Sequence, residues 1–439
     1  MRLLYTLAMY LLTPLIFYRL LARGLRMPGY YARWRERFGH FKSPRFERSI
    51  WVHAVSVGEV NAAAPLVEAL RRRYADLPFV LTTVTPTGSD RVRQLWGDDV
   101  FHVYLPYDLP GSVRRFLDAT QPQLAVVMET EIWPNLFLSC EAADIPVVVA
   151  NARLSDKSLR GYGPVRPIIR AAIRSARFVA AQSQQDADRF LSLGARPDRL
   201  RVVGNLKFDL QVKPELFTEA TEARARWGAQ RPVWIAASTH EGEELAIIEA
   251  HSRLLNRFPD ALLLVAPRHP ERFKPMVQLC RSYGFATRTR SEDDEPNPQS
   301  QCFVIDTLGE LVNFIACADV AFVAGSLEAI GGHNVLEPAA LGVPVVVGPH
   351  TFNFDEVTDL LLEQGAALRV VDSEDLSRAL QTLLADPGRR AQMGEACKRT
   401  VGHERGAVER TLVVIGRVLR GEIEPGADAS DSRPGLRGR

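Results

Sequence analysis

The chain has 439 residues, of which 46% are hydrophobic and 24% charged, and its formal net charge is +2. At roughly 100–200 residues per domain this length holds two or three domains; the composition excludes a fibrous or disordered body, and the charge offers no polybasic case for nucleic acid as a partner. Five scattered cysteines (Cys140, Cys280, Cys302, Cys317, Cys397) with no C-x-x-C spacing argue against a disulfide framework or a structural zinc site and fit a reducing cytosol.

The charge is unevenly placed. Residues 1–50 hold ten Lys/Arg and two Asp/Glu, or +8, and the remainder is −6. Residues 3–18, LLYTLAMYLLTPLIFY, carry no charge and are followed by Arg19, Arg23, Arg26, Arg33, Arg35 and Arg37. Sixteen helical residues reach roughly 24 Å, short of a ~30 Å hydrocarbon core. Extension to Leu21 nearly spans it if Arg19 snorkels. No small-x-small cleavage site follows, so residues 1–22 read as a retained signal-anchor helix associated with the membrane. The trailing positive charge keeps the body on the cytoplasmic face. The alternative is a buried N-terminal helix of the globular fold. Length does not choose between a span and an interfacial helix, and Pro14 permits a kinked placement in the interface.

After the basic segment, short β-rich runs alternate with longer helical patterns, which implies parallel sheets with crossover helices. The first half offers strands at 50–54, 79–84, 101–105, 124–128, 146–150, 178–181 and 201–203. Val60, Ala63, Val67, Leu70 and Tyr74 recur on one helical face between the first two. The second half offers strands at 233–237, 261–266, 302–305, 320–323, 343–347 and 367–371. This predicts an α/β chain of two Rossmann-like, doubly wound domains facing a cleft. The domains are 23–210 and 232–420, joined by a polar helical linker at 211–231. Residues 292–301 read as a charged surface loop and 421–439 as a disordered tail. Such folds place ligands at the carboxyl ends of their strands. Dehydrogenases, nucleotide-sugar epimerases and glycosyltransferases all use them. Neither G-x-G-x-x-G nor G-x-x-x-x-G-K-[ST] follows the first strand of either half, which removes most NAD and ATP enzymes.

The segment 325–349, GSLEAIGGHNVLEPAALGVPVVVGP, is the most informative. A strand runs into a glycine-rich turn, then Asn334 caps a helix from about Val335 to Leu341 that ends at Gly342. Glycines 325, 331 and 332 let a ligand approach the backbone, the helix start offers N–H groups to a phosphate, and Glu337 is placed to accept from ribose hydroxyls. The pattern E-P-x-x-x-G-x-P-V is similar to the nucleotide-binding signature of GT-B glycosyltransferases. A plain strand–helix–strand unit is the alternative.

Glu59 follows the first strand in IWVHAVSVGE, before a helix whose early Pro65 suits a first turn. It is either a base for a sugar hydroxyl or a carboxylate that complements the helix dipole. Glu129 and Glu131 end another strand on a shared face, where they serve acid–base or metal chemistry or stand as edge carboxylates. Lys207 and Arg268 lie beside strand ends, where a cation neutralises a leaving phosphate. Ser238-Thr239-His240-Glu241 lacks the second His of H-E-x-x-H and reads as a capped helix start. Asp186 and Asp188 match D-x-D, but on a helix they point roughly 200° apart. No convincing metal site is left.

Joined in order, WVHAVSVGE, TPTGSDRV, VYLPYDLP, METEIWPNL, NARLS, GNLKFD, STHEGEE, APRHPERF and GGHNVLEPAA…GPHTFNF resemble the 3-deoxy-D-manno-octulosonic acid (Kdo) transferases of lipid A biosynthesis over about residues 1–420. The resemblance implies a GT-B fold, CMP-Kdo as donor and a lipid A precursor (lipid IVA) as acceptor; on the residues read above, no cofactor or metal is expected. It places the enzyme at the cytoplasmic face of the inner membrane, its basic N-terminus on anionic lipid, as part of lipopolysaccharide biosynthesis. Glu59 then matches the family's general base, and Glu129 and Lys207 match residues that stabilise the transition state. Pro267, Arg268, Leu308, Gly309, Glu310, Asn334, Val335, Leu336 and Glu337 match CMP contacts. A UDP-sugar transferase, an epimerase and a non-catalytic binding module are the competing readings.

Overall fold

The computed structural model describes residues 1–210, 212–292 and 295–423. They divide into two units, each carrying one seven-stranded parallel sheet. The first unit is Met1–Asp209 with the C-terminal segment that begins at Arg405; the second is Leu210–Glu404.

In the first unit the strands are β1 (Ser49–His53), β2 (Phe79–Thr83), β3 (Phe101–Tyr104), β4 (Pro122–Met128), β5 (Val147–Ala152), β6 (Phe178–Ala181) and β7 (Leu200–Val202). Their order is β3-β2-β1-β4-β5-β6-β7. The sheet is buried on both faces, as a parallel sheet covered by helices must be. Ile50 and Val52 pack with Leu66 and Leu70 on one side, while Trp51 packs with Val80 and Phe116 on the other. In the second unit the strands are β8 (Val233–Thr239), β9 (Leu262–Pro267), β10 (Thr287–Thr289), β11 (Cys302–Val304), β12 (Val320–Val323), β13 (Val345–Val347) and β14 (Ala367–Arg369). Their order is β10-β11-β9-β8-β12-β13-β14. The order reverses beside β1 in one sheet and beside β8 in the other. Crevices at the carboxyl ends therefore open between β1 and β4 and between β8 and β12.

Strand β10 escapes the sequence reading because Thr-Arg-Thr at a sheet edge has no apolar signal. The domain boundaries also move. The expected linker is a helix, Glu215–Gly228, whose Leu216, Ala220 and Trp227 are buried in the core of the second unit. The helix Ala407–Leu419, expected in the second domain, belongs to the first. Ala407, Leu412, Ile415 and Val418 complete the core around Val60 and Leu66, and the Asp209 carboxylate accepts from the N–H groups of Gly406 (2.6 Å) and Val408 (2.5 Å). Periodicity reveals the apolar face of such a helix but not the sheet it covers. Pro65 is the ninth residue of helix Val57–Arg73, not part of its first turn. Residues 293–294 of the expected surface loop and 424–439 of the expected tail lie outside the described residues.

Candidate active site

The first crevice gathers Glu59, Glu129, Glu131 and Lys207. Glu59 is the third residue of helix Val57–Arg73, and Ser56, at the cap position, makes no side-chain cap. The Glu59 carboxylate turns back to the residue before the cap and accepts from the Val55 N–H at 2.8 Å. Burial pushes its pKa up to about 8; Glu129 and Glu131 push the same way, and the Val55 N–H and Lys207 oppose them. Glu129 follows β4 with φ 54, a left-handed conformation that a non-glycine residue keeps only where its surroundings enforce it. Its carboxylate lies 3.9 Å from the Lys207 ammonium. Glu131 accepts from the Trp133 indole at 2.8 Å, and burial raises its pKa.

Two residues that sequence reasoning passed over support this cluster. His53 is fully buried, and burial lowers its pKa to about 4, so the ring is neutral. Its Nδ1 meets Thr82, and Nε2, without a hydrogen-bond partner, stands 4.0 Å from Glu131. Asn151, also left-handed at φ 52, accepts from the Leu206 N–H at 2.9 Å and so holds the turn that carries Lys207. The register of β5 against β6 shifts between Val149 and Ala152, where Asn151 lies.

In the second unit Pro267 ends β9, and Arg268 is exposed beyond it, its N–H donating to Thr239 at the end of β8. His240 stands at the cap of the helix Glu241–Leu255, its backbone N–H donating to the Glu243 carboxylate at 3.2 Å. His240 Nε2 lies 2.8 Å from His333 Nε2, the two ring planes are within 3° of parallel, and His269 meets His240 edge-on. Burial and the neighbouring His240, Arg268 and His269 depress the His333 pKa to about 4. Arg268 and three imidazoles thus gather beyond the carboxyl ends of β8, β9 and β12.

The glycine-rich turn is used differently than expected. The Gly325 N–H donates to the buried Glu243 carboxylate at 2.5 Å, as do Ser326 (3.3 Å) and Leu327 (3.4 Å), so the protein itself occupies these donors. The helix is Leu336–Leu341 and ends on left-handed Gly342. Asn334 accepts from the Leu336 N–H (3.1 Å) and donates to Glu337 (3.0 Å). Val335 and Leu336 are buried apolar residues. Leu308 and Gly309 are exposed, while Glu310 is held by Arg290 (2.7 Å) and by the Thr307 hydroxyl (2.5 Å). Asp186 is structural, accepting from the Leu154 N–H at 2.8 Å. Among the described residues no group of three or more His, Cys, Asp or Glu is arranged to hold a metal ion.

The basic N-terminal segment is partly consumed inside the fold. Arg37 is buried, with its guanidinium 4.2 Å from the Tyr104 ring centroid and donating to the Val84 carbonyl at 2.8 Å. Arg33 pairs with Glu36 at 2.7 Å and donates to the His102 carbonyl at 2.7 Å. Arg35, between them, is exposed.

Two Rossmann-like parallel-sheet units, each with polar side chains gathered at its switch point, make up a GT-B-like fold. The family described as 3-Deoxy-D-manno-octulosonic-acid transferase (kdotransferase) matches residues 32–210, and Glycosyl transferases group 1 matches residues 246–400. The chain is 41% identical to a 3-deoxy-D-manno-octulosonic acid transferase of Haemophilus influenzae, over 96% of this chain and 100% of that one. It is 40% identical to the Bordetella pertussis protein of the same name, over 93% and 97%. It belongs to the Kdo transferase family. The structure of UDP-GlcNAc 2-epimerase from Neisseria meningitidis bound to UDP-GlcNAc superposes with a TM-score of 0.55 at 16% identity, over 85% of this chain and 100% of that one. At that identity the likeness is one of fold alone.

Proposed function

We propose that the enzyme transfers Kdo from CMP-Kdo to the 6′-hydroxyl of lipid IVA with inversion at the anomeric carbon, and that Glu59 is the general base. The observation that carries this reading is the Glu59 carboxylate at the switch point of the first sheet, held by the Val55 N–H and raised to about 8 by burial. A base titrating near the working pH combines a useful ionised fraction with real proton affinity. The acceptor O–H gives its proton to Glu59 as its oxygen bonds to the anomeric carbon. The bond from that carbon to the CMP phosphate oxygen breaks, and the electron pair leaves with CMP. Lys207 and Glu129 orient the reacting groups. Arg268, with His240, His269 and His333 beside it, offsets the charge on the departing phosphate. The nucleotide sits on the exposed backbone at Leu308 and Gly309, in the loop shaped by Glu310, and against Glu337, in the loop shaped by Asn334. The acceptor is a lipid, and the apolar N-terminal helix keeps the enzyme on the cytoplasmic face of the inner membrane with its exposed cations toward anionic headgroups. No metal or cofactor has a role in this scheme.

The test is the product mass from lipid IVA with CMP-Kdo generated in situ, beside thermal shifts with CMP and with UDP. Kdo-bearing lipid and stabilisation by CMP alone support the reading. Stabilisation by UDP alone, without Kdo transfer, overturns the donor assignment in favour of a UDP-sugar transferase.

A further inference from the structure

The helix Arg2–Arg26 touches the first unit at both ends. Near its start the Tyr5 hydroxyl donates to Asp108 at 2.9 Å, Thr6 donates to Asn135 at 3.1 Å, and Arg2 donates to Asn135 (3.3 Å) and Ser139 (3.1 Å). Near its end the Tyr31 hydroxyl donates to the Leu21 carbonyl at 2.9 Å, and Phe17 meets Trp34 edge-on at 5.9 Å. Leu20 and Gly24 are buried on this docked side. Twenty-five helical residues measure about 37 Å, and a span needs about 30 Å of free apolar helix. Both ends rest on the same globular unit, so no such length is free. A crossing would carry Asp108, Asn135 and Ser139 into hydrocarbon or break their bonds to the helix.

The opposite stripe is apolar and open. Leu4, Leu11, Tyr18 and Leu25 recur every seven residues and are 66%, 72%, 67% and 81% exposed. Arg19, Arg23 and Arg35 are exposed, and Tyr31 and Trp34, which pack on the end of the helix, are each partly open to solvent, the mixture of cations and aromatic rings that favours a bilayer interface. We propose that this helix lies in the plane of one leaflet of an anionic bilayer and does not cross it. Its leucine stripe enters the acyl boundary while its polar stripe is bolted to the first unit. The proposal rests on the membrane association argued above. It has a functional consequence, because Asp108 also accepts the N–H groups of Asn135 (2.9 Å) and Leu136 (2.7 Å), the start of the helix that follows Glu129 and Glu131. The in-plane helix therefore grips the segment next to those carboxylates and holds it beside the headgroups.

All five native cysteines are buried, so single cysteines at positions 4, 11, 18 and 25 can be labelled selectively with an environment-sensitive fluorophore. The full chain is bound to phosphatidylglycerol–phosphatidylethanolamine vesicles, and quenching is compared between lipids carrying nitroxides at shallow and deep acyl positions. The expected result is stronger shallow than deep quenching, with the same ratio at all four sites. A ratio that is deepest at position 11 and returns to shallow at positions 4 and 25 overturns the proposal in favour of a span. No vesicle binding overturns the membrane association itself and the proposal with it. A lipid-independent blue shift at every site with a doubled particle mass overturns it in favour of a second copy of the chain covering the stripe.

Discussion

The Val55 N–H donates to the Glu59 carboxylate at 2.8 Å. Val55 lies two residues past β1, so the strand that builds the core also aims the proposed base. One oxygen is fixed by the backbone, and ionisation of the group is set first by burial and then by the Val55 N–H and the charges of Glu129, Glu131 and Lys207.

The first consequence is kinetic. Only ionised Glu59 accepts a proton, so kcat/KM rises with pH through an apparent pKa near 8. Lys207→Met removes a cation that favours the ionised form, and the midpoint moves up. Glu129→Gln removes a repelling charge, and the midpoint moves down. A pH–rate series on the three proteins checks both directions. Equal midpoints in all three contradict the arrangement.

The second concerns stability. A Glu59 carboxyl in the unfolded chain titrates near 4.5, and in the folded chain near 8. Between these values the unfolded state loses its proton first, so this group's contribution to stability falls as pH rises and levels off above about 8. Glu59→Gln abolishes that loss. Its Tm advantage over the wild type therefore grows between pH 5 and pH 8.5, as paired thermal melts would show. A constant difference across that range contradicts the raised pKa.

The third concerns Glu243. Its buried carboxylate accepts backbone N–H groups from Gly325, Ser326, Leu327 and His240. Glu243→Ala leaves these donors without their acceptor and costs ~1–3 kcal/mol or more. Urea unfolding measures the loss. CMP affinity falls with it, because the loop that Glu243 pins leads to His333 and Asn334.

The fourth separates binding from folding. Arg268 is exposed, so Arg268→Ala leaves Tm unchanged. If it holds the donor phosphate, the KM for CMP-Kdo rises roughly 10-fold or more, the scale of one charge-assisted hydrogen bond, and Arg268→Lys recovers part of it. An unchanged donor KM removes Arg268 from the site.

Much of this architecture is legible in the chain because parallel strands buried on both faces read as apolar runs, as in Val147-Val148-Val149 or Val345-Val346-Val347. Glu59, Glu129 and Arg268 are legible because each directly follows such a run or lies within a few residues of one. The partners that tune them are not. His53 and Glu131 meet across two strands, and Asn151 reaches Leu206 over 55 positions. His240 and His333 are 93 residues apart. Arg37 looks like a surface cation in sequence, and only the fold shows Tyr104 beneath it. The helix Ala407–Leu419 announces its apolar face but not its destination.

The most direct test of the account is the single-turnover rate of Kdo transfer to lipid IVA by Glu59→Gln at pH 8.5, measured beside CMP affinity. The account predicts a rate ~10²–10⁴-fold below wild type with CMP affinity unchanged. A rate within a few-fold of wild type would contradict Glu59 as the base and pass that role to Glu129 or Glu131.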